Sequence, residues 1–213
     1  MAILGSGIYT TLNSGKIIDD SLYTDLTAYF RLEDNLLDSV SLSLSGTPSG
    51  SYTPQYQTGR IGNALSFTGN SSDYITIPDD EAIAPSTDIV SVFTWFNSSV
   101  STFTSTLCDN NDGANGYAIY VTNSQIRVYL GAVSDTTSYT FSANTWYNIG
   151  FTYDRPTETL KTYVNGSCIG TGTSISYNVD TTENLRVGNG LPTGAGSTTP
   201  INGLISEIAV WNR

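Results

Sequence analysis

The feature that most limits the fold of this chain is a recurring pattern of short segments with a period of two. From Leu26 onward, apolar and polar residues alternate over stretches of about four to eight residues, separated by Gly, Asn, Asp and Pro. In LTAYFRLE (26–33), for example, four apolar side chains share one face, as in a half-buried strand. No segment has a sustained helical period. The pattern therefore predicts an all-β chain, built as a sandwich of two antiparallel sheets.

Individual segments predict particular elements of that sandwich. TWYNIGFTYD (145–154) alternates between large apolar side chains and smaller polar ones, which predicts a strand with one buried face. Asn165 and Gly166 supply the two positive-φ positions of a type I′ turn, which predicts a tight hairpin. Trp95 lies in the continuously apolar segment IVSVFTWF (89–96), and its size favours the core. For the same reason Trp211 is expected to pack the last strand against the sandwich.

Composition excludes several classes of function. The net charge of −11 repels phosphate, so we expect no nucleic-acid partner. No apolar run approaches about 18 residues, so we expect no membrane span. The chain has no histidine, which removes Ser-His-Asp and Cys-His catalysis and every His-ligated zinc site.

The N-terminal region and the cysteines bear on where the protein is made. MAILGSGIYTTLNSGK lacks the basic and apolar regions of a signal peptide, which predicts synthesis in a cytoplasm without secretion, or release by a non-classical route. Cys108 and Cys168 are the only cysteines and do not form a CxxC motif. We expect two buried thiols, with a disulfide between them as the alternative.

Residues 1–25 differ from the remainder of the chain. They mix short apolar pairs with Gly, Ser and Asp and show no sustained period. Apolar residues are unusual on a free tail, so this segment is either an arm that docks on another subunit or assembly, or an edge strand. The predicted organisation is an N-terminal arm over 1–25, for anchoring or oligomer contact, followed by one domain over 26–213.

The order of seven segments adds a resemblance to a known family. The segments are LTAYFRLEDNLLDSV (26–40), GRIGNALSFTG (59–69), DYITIP (73–78), VSVFTWFN (90–97), TWYNIGFTYDRPTETLKTYVNG (145–166), LRVGN (185–189) and INGLISEIAVWNR (201–213). In this order they resemble the laminin-G-like jelly rolls of the concanavalin A-like lectin/glucanase superfamily. The resemblance implies a jelly roll of two antiparallel sheets packed face to face, one of them concave, over essentially all of 26–213.

The same resemblance implies a structural calcium ion. Many relatives hold one through an Asp after the first strand and an acidic residue in the last strand, and the matching residues here are Asp38 and Glu207. Ser206 stands where the family usually has a further Asp. Calcium needs six to eight oxygen ligands, part of which are backbone carbonyls. The alternative is that Asp38 forms a turn and Glu207 is solvated.

Candidate ligand-binding residues lie in the middle of the chain. The segment CDNNDGANG (108–116) is rich in oxygen donors, and Asp109, Asn111 and Asp112 are its candidates. The spacing is not that of an EF-hand, and a tight turn would use the same residue types. Tyr117 and Tyr139 are candidate aromatic contacts for a sugar ring. The alternative for each tyrosine is an ordinary half-buried place in the sandwich.

These observations predict a protein without catalytic activity. The chain has five Glu, and no strand presents the E-x-D carboxylate pair of the glucanase branch. Rich in Ser, Thr and Asn and without a signal peptide, the chain resembles a phage virion surface component in composition and architecture, and by this analogy we expect a capsid decoration or a fibre-associated protein. It would be a homo-oligomer attached to virion or fibre proteins through residues 1–25, presenting a jelly roll that binds host or environmental glycans. The alternatives are a carbohydrate-binding module of a larger adhesin or enzyme, and a glucanase-type hydrolase.

Overall fold

A computed structural model describes residues 23–84, 88–176, 182–192 and 199–213. Regular secondary structure in these ranges consists of β-strands. They are β1 (Leu26–Phe30), β2 (Thr47–Pro48), β3 (Gln55–Thr58), β4 (Asn63–Thr68), β5 (Ile75–Ile77), β6 (Ile89–Ser98), β7 (Thr104–Asp109), β8 (Tyr117–Thr122), β9 (Gln125–Leu130), β10 (Val133–Ser138), β11 (Tyr147–Asp154), β12 (Thr159–Val164), β13 (Ser167–Gly172), β14 (Leu185–Val187) and β15 (Asn202–Trp211). None of the described segments is a helix of the length and apolarity that crossing a membrane requires.

The strands form two antiparallel sheets. The larger sheet has the order β13-β12-β11-β6-β15-β4-β3, with β1 also pairing with β15. The smaller sheet has the order β10-β9-β8-β7-β14-β5-β2. Strands adjacent in space are often distant in sequence, as where β15 lies between β6 and β4. This arrangement confirms the predicted all-β jelly-roll sandwich.

The core lies between the two sheets and follows the alternation of each strand. In β11, Ile149, Phe151 and Tyr153 are fully buried, while the residues between them lie on the opposite face. Apolar side chains from β9 and β15 complete the same cluster. The Tyr153 hydroxyl donates a hydrogen bond to the carbonyl of Ile175 at 2.7 Å, so its polar atom is also satisfied. The alternation predicted for residues 145–154 is therefore confirmed.

Strand β15 runs through the middle of the larger sheet and contains a bulge. Its first half pairs with β4 and its second half with β1, while β6 lies along its other side. The register shifts between Ser206 and Ala209, and Glu207 adopts a φ of 58°. A bulge re-aims the side chain at that point and increases the local twist. The bulge therefore decides where Glu207 points.

The remaining local predictions have mixed outcomes. Asn165 and Gly166 have φ values of 50° and 79°, which confirms the hairpin turn between β12 and β13. Both cysteines are free thiols; Cys108 is buried as predicted, but Cys168 is exposed because it lies on the edge strand β13.

Most of the predicted N-terminal arm, residues 1–22, lies outside the described residues. Its last three residues are described and contact the domain. The carbonyl of Asp25 accepts a hydrogen bond from the backbone N–H of Asn212 at 2.8 Å, and the carbonyl of Tyr23 accepts one from that of Leu26 at 3.3 Å. Strand β1 begins at Leu26, and the division into an arm over 1–25 and a domain over 26–213 stays a prediction.

Candidate functional site

The outer face of the larger sheet carries aromatic side chains that are not part of the core. In β6, Val92 and Phe96 are fully buried, whereas Phe93 and Trp95 point to the other side and are half-buried. The prediction that Trp95 belongs to the core is wrong for this reason. Successive side chains of a strand alternate between faces, so Trp95 lies opposite its buried neighbours.

Phe93 lies at the centre of this aromatic surface. Its ring centroid is 6.1 Å from that of Trp211 on β15, in an edge-to-face contact, and 5.7 Å from that of Tyr163 on β12. Between these strands, β11 contributes Gly150, where an added Cβ would lie only 2.2 Å from the Phe93 ring. The glycine therefore leaves the space that the Phe93 ring occupies.

Trp211 packs on this outer face and not between the sheets, which corrects the predicted place of its side chain.

The aromatic side chains line a groove. One part of it has a volume of about 530 Å³ and is lined by Tyr23, Leu26, Tyr29, Arg31, Ile61, Phe93, Trp95, Asn148, Glu207, Ala209 and Trp211. A second part of about 440 Å³ shares Trp95 and Asn148 with the first and adds Arg60, Trp146, Asn165 and Gly166. We call the two parts together the aromatic groove. All three tryptophans of the chain line it.

Polar groups stand among the aromatic ones. The guanidinium of Arg60 lies over the Trp95 ring at 5.5 Å from its centroid, a cation–π contact at the side of the groove. Arg31 forms an ion pair with Glu33. The side-chain amide of Asn148 makes one hydrogen bond to a described residue, a long one of 3.5 Å to the carbonyl of Thr94. An apolar surface with a few placed polar groups is typical of a small-molecule or glycan site.

Glu207 brings a carboxyl group into the groove. The bulge in β15 holds its backbone, and its N–H donates to the carbonyl of Arg31 at 3.1 Å. Burial raises the pKa of the Glu207 carboxyl above its usual value, and a hydrogen bond from the Tyr29 hydroxyl opposes that change. Burial and the neighbouring Glu207 also raise the pKa of Tyr29, so this hydroxyl keeps its proton. Because the Tyr29 hydroxyl donates its proton to Glu207, the pair offers a ligand hydrogen-bond acceptors within a largely apolar groove.

Asp38, the other predicted calcium ligand, has its hydrogen-bonding capacity filled by the protein. Its Oδ1 accepts from the backbone N–H groups of Tyr29 and Val40 at 2.8 and 3.1 Å. Its Oδ2 accepts from the N–H and hydroxyl of Ser41 at 2.6 and 2.7 Å. A carboxylate has about four lone-pair sites, and all four are used here.

The Asp38 carboxylate therefore does not fit a calcium ion in this arrangement. Among the described residues, no three Cys, Asp or Glu side chains are gathered in a way that suits a metal ion. Glu207, in turn, faces the aromatic groove and Tyr29. The calcium ion stays a prediction, but we do not expect Asp38 among its ligands.

The oxygen-rich loop after β7 is used mainly to satisfy its own backbone. Asp109 is fully buried and accepts hydrogen bonds from the N–H groups of Asn111 and Leu191, both at 2.8 Å. Burial raises the pKa of the Asp109 carboxyl to about 6, although these hydrogen bonds lower it. Asn111 is also buried, and its amide donates to the carbonyl of Gly131 at 2.9 Å. Both residues lack the surface that contact with a ligand needs.

The other three predicted ligand contacts occupy different environments. The Tyr117 side chain is fully buried, and its hydroxyl donates to the carbonyl of Ile83 at 2.7 Å. Asp112 is half-buried and accepts from the N–H groups of Ala114 and Asn115, which lowers the pKa of its carboxyl. Tyr139 packs on Phe141 with a centroid distance of 4.7 Å. The buried Tyr117 side chain lacks the surface that contact with a ligand needs, whereas ligand contacts by Asp112 and Tyr139 stay predictions. None of the three lines the aromatic groove.

Comparison with solved structures shows where this fold recurs. Domain 4 of AbnA, an extracellular arabinanase of Geobacillus stearothermophilus solved with arabinotriose, is similar with a TM-score of 0.64 and 19% identity, over 88% of this chain and 92% of that domain. The binding domain of Paraclostridial Mosquitocidal Protein 1 is similar with a TM-score of 0.71 and 15% identity, over 90% of this chain and 50% of that one.

A third similar structure is that of botulinum neurotoxin type C, whose cell entry is described as dependent upon interaction with two ganglioside molecules. Its TM-score is 0.63 and its identity 14%, over 91% of this chain. The chain spans about half the length of the two toxin chains. At these sequence identities, the similarity shows a shared fold and nothing more.

Sequence comparison gives the family. A search of curated protein sequences finds no match to this chain. A family model does match residues 68–213, which is more than half of the chain, and it describes a laminin-G-like domain. Strands β1, β2 and β3 and all of β4 except Thr68 precede the matched region and belong to the same sandwich. The chain therefore belongs to the concanavalin A-like lectin/glucanase superfamily.

Proposed function

We propose that this chain is a non-catalytic domain that binds glycans in the aromatic groove. The observation that carries the proposal is the set of half-exposed aromatic rings on the outer face of the larger sheet, with Asn148, Arg31 and Glu207 among them. Aromatic rings cover the apolar face of a sugar ring, and nearby polar groups hydrogen-bond its hydroxyls. The groove combines both kinds of group.

The similar structures support this proposal at the level of class. One is a domain of an arabinanase solved with arabinotriose, and another belongs to a toxin described as interacting with gangliosides. The whole toxins are longer than this chain, so their receptors are not transferred to it. The expected ligand is a glycan, without commitment to a particular sugar.

A glycan array tests the proposal directly. We expect the purified full chain to bind a subset of the glycans, and Trp95→Ala and Trp211→Ala to weaken binding about 30-fold, as for a central aromatic contact. Tyr129→Ala is the matched control, because Tyr129 lies on the smaller sheet, away from the groove. Binding that survives both tryptophan substitutions would contradict the proposal. Repeating the array with EDTA tests the calcium prediction separately.

Glucanase-type hydrolysis is the alternative function, because the superfamily includes glucanases. Most glycoside hydrolases use two carboxyl groups around the scissile bond. Glu207 is the single acidic side chain among the described residues that line the groove, and the nearby Glu33 is paired with Arg31. We therefore expect no release of reducing sugar from oligosaccharides. Release that disappears in Glu207→Gln would establish the hydrolase instead.

The proposed setting of the domain is the surface of a phage virion, with residues 1–25 as the anchoring arm of a homo-oligomer. The alternative is a module of a larger adhesin or enzyme. Support comes from the sequence, which is acidic and rich in Ser, Thr and Asn. Deleting residues 1–22 keeps the contacts of Tyr23 and Asp25 with the domain, so the domain should stay folded while assembly is lost. Light scattering of both forms checks this, since an unchanged oligomeric mass after deletion would exclude the arm.

A further inference from the structure

A second cleft lies on the opposite side of the sandwich from the aromatic groove. In β14, Leu185 and Val187 face the core, so Arg186 between them points away from it. Arg186 pairs with Thr76 of β5, which makes Tyr74 its diagonal neighbour on the same face. The hollow has a volume of about 540 Å³. We call it the serine cleft, after its lining by Ser49, Ser51, Ser71, Ser72, Tyr74 and Arg186.

The guanidinium of Arg186 is held in place but keeps unused donors. It lies 4.1 Å from the centroid of the Tyr74 ring, and its Nη1 donates to the carbonyl of Gly190 at 2.8 Å. Its Nε is buried and has no hydrogen-bond partner among the described residues. The carboxylate of Asp109, on the neighbouring strand, takes its hydrogen bonds from backbone N–H groups and not from Arg186. The buried Nε faces the protein, so an external acceptor would be bound through the terminal Nη groups, of which only Nη1 has a hydrogen bond to a described residue.

Hydrogen bonds hold the walls of the cleft. The buried amide of Asn189 donates to the carbonyl of Ser71 at 2.8 Å, which ties the two loops together. The N–H of Ser49 donates to the carbonyl of Tyr74 at 2.9 Å and fixes a third loop. A cleft with fixed walls loses little conformational freedom when a ligand binds.

The lining of the cleft is polar, hydroxyl-rich and without a described acidic side chain. The hydroxyls of Ser51, Ser71 and Ser72 make no hydrogen bond to a described residue, so they are available to a ligand. No acidic side chain is among the described lining residues, although the buried Asp109 lies directly across from Arg186 on β7 and its carboxyl interacts electrostatically with the guanidinium. The chemistry therefore favours an anionic ligand that also carries hydroxyl groups.

From this geometry we propose that the serine cleft binds a carboxylate on a hydroxyl-bearing ring, the chemistry of an acidic sugar. A guanidinium binds a carboxylate through two parallel hydrogen bonds, and serine hydroxyls match the hydroxyls of the ring. The cleft and the aromatic groove lie on opposite faces, so this site is independent of the proposed function. The ligand occupies the cleft with its carboxylate toward Arg186.

The test uses three probes that differ by one group at a time: D-glucuronate, D-glucose and acetate. Isothermal titration at low salt should give a millimolar dissociation constant for glucuronate. Glucose, which lacks the carboxylate, and acetate, which lacks the ring, should bind at least about tenfold more weakly. Raising the salt concentration should weaken glucuronate binding, because the contact is between charges.

Three variants of the full chain locate the site. Arg186→Gln should weaken glucuronate binding about tenfold or more, since a hydrogen bond to a charged group is lost. Gly50→Trp should block the cleft without disturbing the fold, because an added Cβ at Gly50 meets no atom within 4 Å. If Arg186→Gln reduces the stability of the fold, Gly50→Trp still tests the cleft, because it leaves Arg186 in place. Trp95→Ala should leave glucuronate binding unchanged.

Each contrary result overturns a defined part of the proposal. If glucose binds as tightly as glucuronate, the cleft does not recognise the carboxylate. If acetate binds as tightly as glucuronate, the cleft does not recognise the sugar ring. If glucuronate binding is unchanged in both Arg186→Gln and Gly50→Trp, the serine cleft is not the binding site. Loss in Trp95→Ala alone assigns the ligand to the aromatic groove. Failure of the groove in the glycan array leaves these results unaffected, so the two proposals fail separately.

Discussion

At the scale of single residues, Asp38 holds the turn that follows β1. Its carboxylate accepts four hydrogen bonds from backbone and hydroxyl donors of Tyr29, Val40 and Ser41. Removing it in Asp38→Ala leaves these donors without a partner in a buried place. We expect a loss of about 3 kcal/mol in the free energy of unfolding, measured by denaturant unfolding.

Asp112 provides the control for Asp38. It also accepts backbone hydrogen bonds in a turn, but it is only half-buried, so water replaces the lost contacts. Asp112→Ala should cost about 1 kcal/mol or less. Since Asp38 has no free lone pair, calcium should not change the melting temperature of the native chain. A calcium-dependent rise that Asp38→Ala removes would contradict this role of Asp38.

Gly150 makes room for the ring at the centre of the aromatic groove. A Cβ at this position would lie 2.2 Å from the Phe93 ring and 2.4 Å from the carbonyl oxygen of Val92. Gly150→Ala should therefore lower the free energy of unfolding by about 2 kcal/mol and weaken glycan binding, because Phe93 must move. Thr152→Ala, at the next outward position of β11, should change both quantities little. Unchanged binding in Gly150→Ala would show that Phe93 is not part of the site.

Asp109 gives stability a specific dependence on pH. Burial raises the pKa of its carboxyl to about 6, above the usual value of 3.8 that applies in the unfolded chain. The folded state therefore binds a proton more readily, so stability increases as the pH falls through about 6 toward 3.8. Between pH 7 and pH 5 we expect a gain of about 1 kcal/mol, or a rise in melting temperature of roughly 3 °C.

The slope of melting temperature against pH is the informative quantity. Asp109→Asn removes the titrating group and should flatten the slope between pH 7 and pH 5, whatever its absolute stability. Burial also raises the pKa of Glu207, which acts in the same direction. Glu207→Gln should therefore remove a further part of the slope. A slope in Asp109→Asn equal to that of the native chain would show that Asp109 ionises normally.

At the scale of elements, the hairpin between β12 and β13 tests the cost of backbone conformation alone. Gly166 has a φ of 79°, and an added Cβ would meet no atom within 4 Å. Gly166→Ala should therefore cost about 1 kcal/mol through the left-handed backbone, without a clash. Gly50→Ala, where space is also open and no positive φ is present, should be nearly neutral in thermal unfolding. Equal effects of the two substitutions would contradict the conformational explanation.

Elements were predictable from sequence where the pattern was local. Alternation in residues 145–154 identified the buried face of β11, and Asn165 with Gly166 identified a turn. The apolar segment of β6 carries no such alternation, so the size of Trp95 suggested burial although the strand places it outside. Here the face is decided by which strands lie alongside, which a local pattern does not contain.

The candidate site depends on contacts between distant parts of the chain. Phe93, Gly150 and Trp211 meet because β6 lies between β11 and β15. The direction of Glu207 depends on a bulge that has no signature in the sequence.

The loop of residues 108–116, by contrast, suggested a ligand site from sequence, but the structure buries two of its three candidate residues. Its Asp and Asn residues suggested a ligand, but Asp109 and Asn111 satisfy buried backbone groups. Polar composition alone does not distinguish these two uses.

At the scale of the whole molecule, the two outer faces of the sandwich differ in chemistry. The larger sheet presents aromatic rings, while the smaller sheet presents a hydroxyl-lined cleft around Arg186. One stable core supports both, because each strand sends alternate side chains inward and outward. We therefore expect neutral sugar rings and acidic sugars to bind on opposite faces of the same domain.

The most direct test of glycan binding in the aromatic groove is an NMR titration that follows the indole N–H signals. The chain has three tryptophans, Trp95, Trp146 and Trp211, and all of them line the groove. On titration with the strongest glycan from the array, we expect saturable shifts of the Trp95 and Trp211 signals. Unmoved indole signals during binding, or no binding to any glycan of the array, would contradict the proposed function.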